Sequence, residues 1–192
     1  HGALCYSVSG LCLFSSHTAG RSGNRGRCAY CCRETFTAVP PASSPHPLHA
    51  SSRYPFSMKD LALAPILQAV VATGARSLKI EGRMKSPLYV ACVTDYYRQK
   101  LDGKLSRESE RLLIQDLQTV FSRPWTRLYA EGDKAAPETI IDPVAVGHRG
   151  ASIGRAEAVI RDRDGTRWLR FTSNRSLEKH DGLQVELSGG GK

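Results

Sequence analysis

Four cysteines near the start of the chain have the residue type and spacing of a metal or cluster site. Five of the six cysteines lie within the first 32 residues, and four of them are Cys5, Cys12, Cys28 and Cys32. In a cytosolic protein such a group indicates metal binding rather than disulfides, and four thiolates suit zinc or an iron–sulfur cluster. Only the second pair has the tight spacing of zinc sites, which favours a cluster assembled from separate loops. A zinc site and four unliganded thiols remain as alternative interpretations of these cysteines.

A loop rich in glycine and arginine separates the two cysteine pairs. Its glycines free the backbone, and its charge comes from Arg21, Arg25 and Arg27. Such a loop can present backbone N–H groups and guanidinium forks to phosphate or carboxylate. The spacing of these residues favours equally a flexible basic loop that binds no ligand.

A third charged group follows a predicted strand. Apolar residues at helical spacing predict a helix over residues 61–75, which Gly74 ends. A short strand is predicted around residues 77–80. It is followed by three charged residues, Glu81, Arg83 and Lys85.

Two more helices are predicted after this strand. Ser86 and the following proline are a favourable start for a helix that stops at Gly103. Another helix is predicted over residues 107–121 from its stripe of leucines. Helix, strand and helix in this order are typical of a parallel α/β fold.

The pattern changes to β after Pro124. Residues 153–160, 167–172 and 183–187 have strand-like patterns, with turns between them. They predict a small β-barrel or β-sandwich module. We therefore expect two domains, at residues 1–130 and 140–188.

Charge and composition narrow the function classes. The net charge of +9 favours an anionic partner such as nucleic acid. The sequence contains no run of about 18 or more apolar residues, so no membrane span is predicted. Ser152 matches a hydrolase nucleophile elbow, but that elbow needs a preceding strand and a following helix, and the predicted order is the reverse. No zinc-protease motif occurs, and a cytoplasmic protein is expected.

Several stretches together resemble one known family. "GALCYSVSGLCLFS" resembles the signature of the U-32 peptidase family, also called collagenase-like proteases, with Phe14 replacing an aliphatic residue. "GRSGNRGRCAYCCR", "SMKDL" and "SLKIEGRMKSPLYVACVTDYYR" resemble later blocks of the family. "VGHRGASIGRAEAV" and "DGLQVEL" resemble the β module that follows the barrel in longer members. The resemblance covers nearly the whole chain.

The resemblance implies a fold and a site. It implies the C-terminal part of a TIM-like barrel followed by the small β module. Functional groups of such barrels lie at the C-terminal ends of strands, where Cys5, Glu81 and Arg83 are expected. Arg83 is then expected to grip a carboxylate, and Glu81 to orient Arg83 or move a proton, with Lys85 just beyond. A surface ion pair is the alternative.

The resemblance also implies a cofactor and a function. Family members similar to RNA hydroxylases carry a four-iron four-sulfur cluster and depend on prephenate. Carried over, Cys5, Cys12, Cys28 and Cys32 are the ligands, with Cys31 as the alternative to Cys32. Arg21, Arg25, Arg27 and Arg33 flank this site and are expected to contact RNA. The resemblance thus implies an iron–sulfur hydroxylase of ribosomal or transfer RNA, with a collagenase-like peptidase and a non-catalytic cluster protein as alternatives.

Overall fold

The computed structural model describes residues 1–7, 11–37, 53–82, 84–130, 132 and 140–186. Within them the protein has mixed α/β structure, which confirms the predicted class. The first sheet consists of β1 (Gly2–Ala3), β2 (Asp60–Leu61) and β3 (Trp125–Thr126), in that order. β1 is antiparallel to β2, and β2 is parallel to β3. Short as they are, these strands bring together residues from the start, middle and later part of the chain.

Three helices form the apolar core beside this sheet. α2 (Leu67–Ala72) follows a 3₁₀ turn at Ala64–Ile66, and α3 (Pro87–Leu101) and α4 (Arg107–Val120) follow in sequence. The residues of α3 that face the core have helical spacing and are joined by Leu117 of α4; the buried set is Ala64, Leu67, Tyr89, Val93, Tyr96, Tyr97 and Leu117. Burial of these side chains is the main stabilising contribution to the sheet–helix unit.

The helix boundaries agree with the capping residues in the sequence. The Ser86 hydroxyl accepts the N–H of Tyr89 at 3.2 Å, and the Ser106 hydroxyl accepts the N–H of Ser109 at 3.1 Å. Each bond satisfies a backbone donor that the first helical turn leaves without a partner. The predicted starts of α3 and α4 are therefore confirmed.

The strand predicted around residues 77–80 is wrong. Residues 75–82 form no regular element. Their backbone is joined to the chain start instead: the amino group of His1 donates to the Lys79 carbonyl at 3.1 Å, and the Glu81 N–H donates to the His1 carbonyl at 2.8 Å. Gly2 follows with a φ of 120°, a backbone conformation that side-chain-bearing residues rarely adopt. Two hydrogen bonds beside such a residue do not extend into a ladder.

The later part of the chain contains a hairpin of β4 (Gly154–Arg161) and β5 (Arg167–Ser173), with a bulge between Ala156 and Ala158. Its turn is closed by the N–H of Asp162 donating to the Thr166 carbonyl at 2.8 Å. The third predicted strand is not formed in residues 183–186, and residue 187 lies outside the described residues. Most side chains of the hairpin are exposed, because no second sheet packs on it in the described part of the chain.

One further helix, α1 (Phe14–Ala19), lies between the cysteines and was not predicted. No helix among the described residues has both the length and the apolar character that crossing a bilayer requires.

Candidate functional site

The cysteine loops, residues 1–7 and 11–34, carry five of the six cysteines on short turns. Cys5 follows β1, Cys12 precedes α1, and Cys28 follows a 3₁₀ turn at Gly23–Arg25. A second 3₁₀ turn, Cys31–Arg33, carries the remaining two. All six cysteines are free thiols.

α1 holds the second half of the cysteine loops in place. The Ser15 side chain, buried in α1, accepts the N–H of Ala29 at 2.8 Å, next to Cys28. The Thr18 hydroxyl lies 2.9 Å from the sulfur of Cys31. The backbone N–H of Tyr30 donates to the Cys28 sulfur at 3.3 Å. These bonds turn Cys31 toward α1.

Three of the predicted ligands lie near one another. Burial raises the pKa of the Cys32 thiol, Arg33 opposes this rise, and negative charge on Cys28 and then on Cys5 adds to it. The sulfurs of Cys28 and Cys5 are therefore within electrostatic range of Cys32. The backbone N–H of Cys12 donates to Asn24 Oδ1 at 3.1 Å. Among the described residues, no three His, Cys, Asp or Glu side chains approach closely enough to hold a metal ion.

Arg33 fastens the cysteine loops to the sheet. Its Nη1 donates to Ser57 Oγ at 2.9 Å and to the Met58 carbonyl at 2.7 Å, and its Nη2 donates to the Leu4 carbonyl at 3.3 Å. Burial, followed by the charge of Arg123, lowers the pKa of Arg33. Predicted as an RNA contact, Arg33 lies half-buried between Leu4, which precedes Cys5, and the segment leading into β2.

A buried ion pair beside Arg33 was missed by sequence reasoning. Asp60, at the start of β2, is only 2% exposed, and Arg123 Nε donates to its Oδ1 at 2.9 Å. The two residues are 63 positions apart. The only signal in the sequence was an acidic residue at the entry to an apolar segment, and nothing there pointed to its partner.

Lys85 lies against the same pair. Its Nζ is 2.9 Å from the centroid of the Phe121 ring and 5.7 Å from that of Tyr89. Burial lowers the pKa of Lys85 to about 8, the charge of Arg123 lowers it further, Asp60 opposes this, and Arg33 adds to the lowering. We call Arg33, Lys85, Arg123 and Asp60 together the cation cluster.

The other predicted residues lie at the surface or outside the described residues. Glu81 is half-exposed and pairs with Lys79, whose Nζ is 2.8 Å from Glu81 Oε1. Arg83 lies outside the described residues. Residues Arg21, Arg25 and Arg27 are exposed on the turns between Cys12 and Cys28. Of the charges predicted to act together, the structure places Lys85 in the cation cluster and Glu81 in a surface ion pair.

A cavity of about 420 Å³ lies apart from these groups. Its walls are mostly apolar side chains of α2, α3 and residues 76–80, with His1 at one side. None of the predicted site residues lines it. The cysteines and the cation cluster are therefore the better candidate site.

Comparison with known proteins identifies relatives of two kinds. Residues 1–139 match the profile of Peptidase family U32. The chain is 32% identical over 195 aligned positions to the 23S rRNA 5-hydroxycytidine C2501 synthase of Escherichia coli (strain K12), covering 96% of this chain and 28% of that protein. It is 34% identical over 149 positions to a collagenase of Porphyromonas gingivalis, covering 69% of this chain and 40% of that protein.

A third relative is tRNA hydroxylation protein P1 of Bacillus subtilis (strain 168), 38% identical over 118 positions that cover 60% of this chain and 28% of that protein. The chain therefore spans between 28% and 40% of the length of these three relatives. No solved structure matches it.

Proposed function

This chain belongs to peptidase family U32, and we propose that it is part of an iron–sulfur enzyme that hydroxylates a base of ribosomal or transfer RNA. The observation that carries the proposal is the hydrogen bond from Arg33, which follows Cys32, to the Leu4 carbonyl, which precedes Cys5, because it joins the two cysteine segments beside the cation cluster. Two of the relatives are named for RNA hydroxylation, which supports the same activity.

The chemistry of the donor set fits a four-iron four-sulfur cluster. Thiolates are the usual ligands of such clusters, and hydrogen bonds to the sulfurs tune them, as the Tyr30 N–H does at Cys28. Cys5, Cys12, Cys28 and Cys32 would hold the cluster. When bound, the cluster would supply one-electron redox chemistry.

The contacts of the two neighbouring cysteines support Cys32 over Cys31 as the fourth ligand. The Cys31 sulfur already contacts the Thr18 hydroxyl at 2.9 Å. Cys32 is the thiol that senses the charges of Cys28 and Cys5. Arg33, the next residue, would fix the position of Cys32 by bonding the chain beside Cys5.

The basic turns of the cysteine loops would meet the RNA. Arg21, Arg25 and Arg27 are exposed there and are free to contact phosphates without unfolding the core. An RNA substrate also goes with a cytoplasmic location. Prephenate is the proposed anionic cosubstrate.

The finer fold assignment belongs to the same proposal. β2 and β3 are parallel neighbours connected through helices, which is the arrangement of strands in an α/β barrel. We place them in a TIM-like barrel, with the β4–β5 hairpin in the small β module that follows. The division at residues 1–130 and 140–188 stays a prediction.

A peptidase is the second candidate, favoured by the similarity to the collagenase. The nucleophile elbow at Ser152 does not support it, because Ser152 is followed by strand β4 and not by a helix.

An activity comparison tests the proposal directly. The full-length protein, purified without oxygen, is assayed with prephenate on RNA and separately on unfolded collagen, with the cluster intact and after its removal. We expect a hydroxylated nucleoside by mass spectrometry only when the cluster is intact. Collagen cleavage that continues without the cluster, together with unmodified RNA, would establish the peptidase instead.

A further inference from the structure

We propose that the cation cluster binds the carboxylate of a small organic anion. The inference rests on the proposed function for the anion's role, because it names the place on this chain where an anionic cosubstrate would bind beside the cysteine loops.

The first argument is the imbalance of charge. Arg123 forms an ion pair with the buried Asp60, and Arg149 lies 3.3 Å from Asp142. Within the part of the chain that the structure describes, neither Arg33 nor Lys85 has a carboxylate within ion-pair distance. Among the described residues, two positive charges in one half-buried place therefore have no carboxylate of their own.

The second argument is the cost of this arrangement. Like charges that are partly removed from water repel one another more strongly than they do at the surface, and each has lost part of its hydration. The lowered pKa of Lys85 reflects both effects. A bound carboxylate would offset them, since it would supply the missing negative charge.

The third argument concerns the kind of anion. Lys85 stands over the face of Phe121, and the His148 ring stacks on Phe121 with 5.4 Å between centroids and 16° between planes. Aromatic rings beside guanidinium and ammonium groups suit a carboxylate attached to a cyclic or unsaturated carbon body. An RNA backbone would need more exposed cations, such as those of the cysteine loops.

The fourth argument is location. Arg33 directly follows Cys32 and donates to the Leu4 carbonyl, which precedes Cys5. An anion held by Arg33 and Lys85 would therefore lie next to the thiols. The role of Arg33 in joining the cysteine loops to the sheet explains its hydrogen bonds. It does not explain why Lys85 has no carboxylate partner among the described residues.

The test is calorimetric binding to the full-length protein with three probes: prephenate, inorganic phosphate and a short RNA. We expect saturable binding of prephenate that Lys85→Met weakens about tenfold or more, the effect of losing one charge-assisted contact. Lys85→Arg keeps the cation and should restore most of the affinity. Lys104→Met is the matched control, because Lys104 is an exposed lysine between α3 and α4 and should leave binding unchanged.

Three results would overturn the site: no prephenate binding, binding to Lys85→Met within twofold of wild type, or phosphate or RNA competing as strongly as the carboxylate. RNA hydroxylation and iron content are measured on the same samples. Lys85-dependent prephenate binding in a protein without hydroxylase activity would sink the proposed function while the carboxylate site stands. If Lys85→Met leaves RNA hydroxylation unchanged, the carboxylate site is wrong while the proposed function stands.

Discussion

The cysteine loops and the cation cluster lie side by side but are held in place by different means. Asp60 and Arg123 are fixed by β2, β3 and the packed helices, and the pair itself is buried. In residues 11–37, by contrast, Ser15 is the only buried side chain, and turns and hydrogen bonds supply the rest of the structure. Folding therefore prepares the charged half of the site, whereas the thiol half has no packed core of its own within residues 11–37.

The largest effect should come from breaking the prepared half. Asp60→Asn leaves Arg123 buried without its anion, and we expect a loss of about 3–5 kcal/mol in the free energy of unfolding. Urea denaturation checks this. Asp95→Asn on the exposed face of α3 is the control and should change stability by less than about 0.5 kcal/mol. Equal stability of the two variants would show that the cation cluster is not fixed by this pair.

A smaller, local effect is expected in the cysteine loops. Ser15→Ala removes the acceptor of the Ala29 N–H, which costs about 1–3 kcal/mol when the donor finds no other partner. Amide hydrogen exchange should show lost protection in residues 28–34 and unchanged protection in α3 and α4. Uniform loss across both regions would contradict the separation between them.

The two regions also differ in how far the sequence predicts them. Ser86 predicted the start of α3, because capping is local, and the apolar stripe predicted α4. The cysteine spacing marked the loops. The Asp60–Arg123 pair was invisible, because it joins residues 63 positions apart. The two-residue strands β1, β2 and β3 were not predicted either, because their pairing also joins residues far apart in the sequence. The strand predicted at residues 77–80 is absent, because an apolar run forms a strand only where a partner strand is available to pair with it.

Carboxylate binding should depend on pH through Lys85. Its pKa is about 8, below the ordinary 10.5, so the ammonium charge is present below pH 8 and lost above it. Arg33, Arg123 and Asp60 face it, and burial raises the pKa of Tyr89 beside it to about 12. Prephenate affinity should therefore fall as pH rises through 8, and Lys85→Arg should flatten this profile.

The pH dependence of stability has the opposite direction to that of carboxylate affinity. The unfolded lysine titrates near 10.5, so the unliganded protein should become more stable as pH rises from 8 to 10.5. Affinity that stays constant across this range in the wild type would remove Lys85 from the carboxylate site.

The smallest effect is expected at the exposed arginines. Replacing Arg25 and Arg27 together should reduce the slope of log affinity for RNA against log salt by about one to two, near one for each lost phosphate contact. Replacing Arg161 and Arg167 of the hairpin is the matched control. An equal change in both variants would mean that the cysteine loops are not the preferred RNA surface.

Iron and sulfide analysis of the anaerobically purified full-length protein tests the central claim most directly. We expect about four irons and four sulfides per chain in the wild type, in Cys31→Ser and in Cys92→Ser, since neither cysteine is a proposed ligand. Cys32→Ser should lose most of both. A colourless wild-type protein with one zinc ion, or a Cys32→Ser variant that keeps its full iron, would contradict the account.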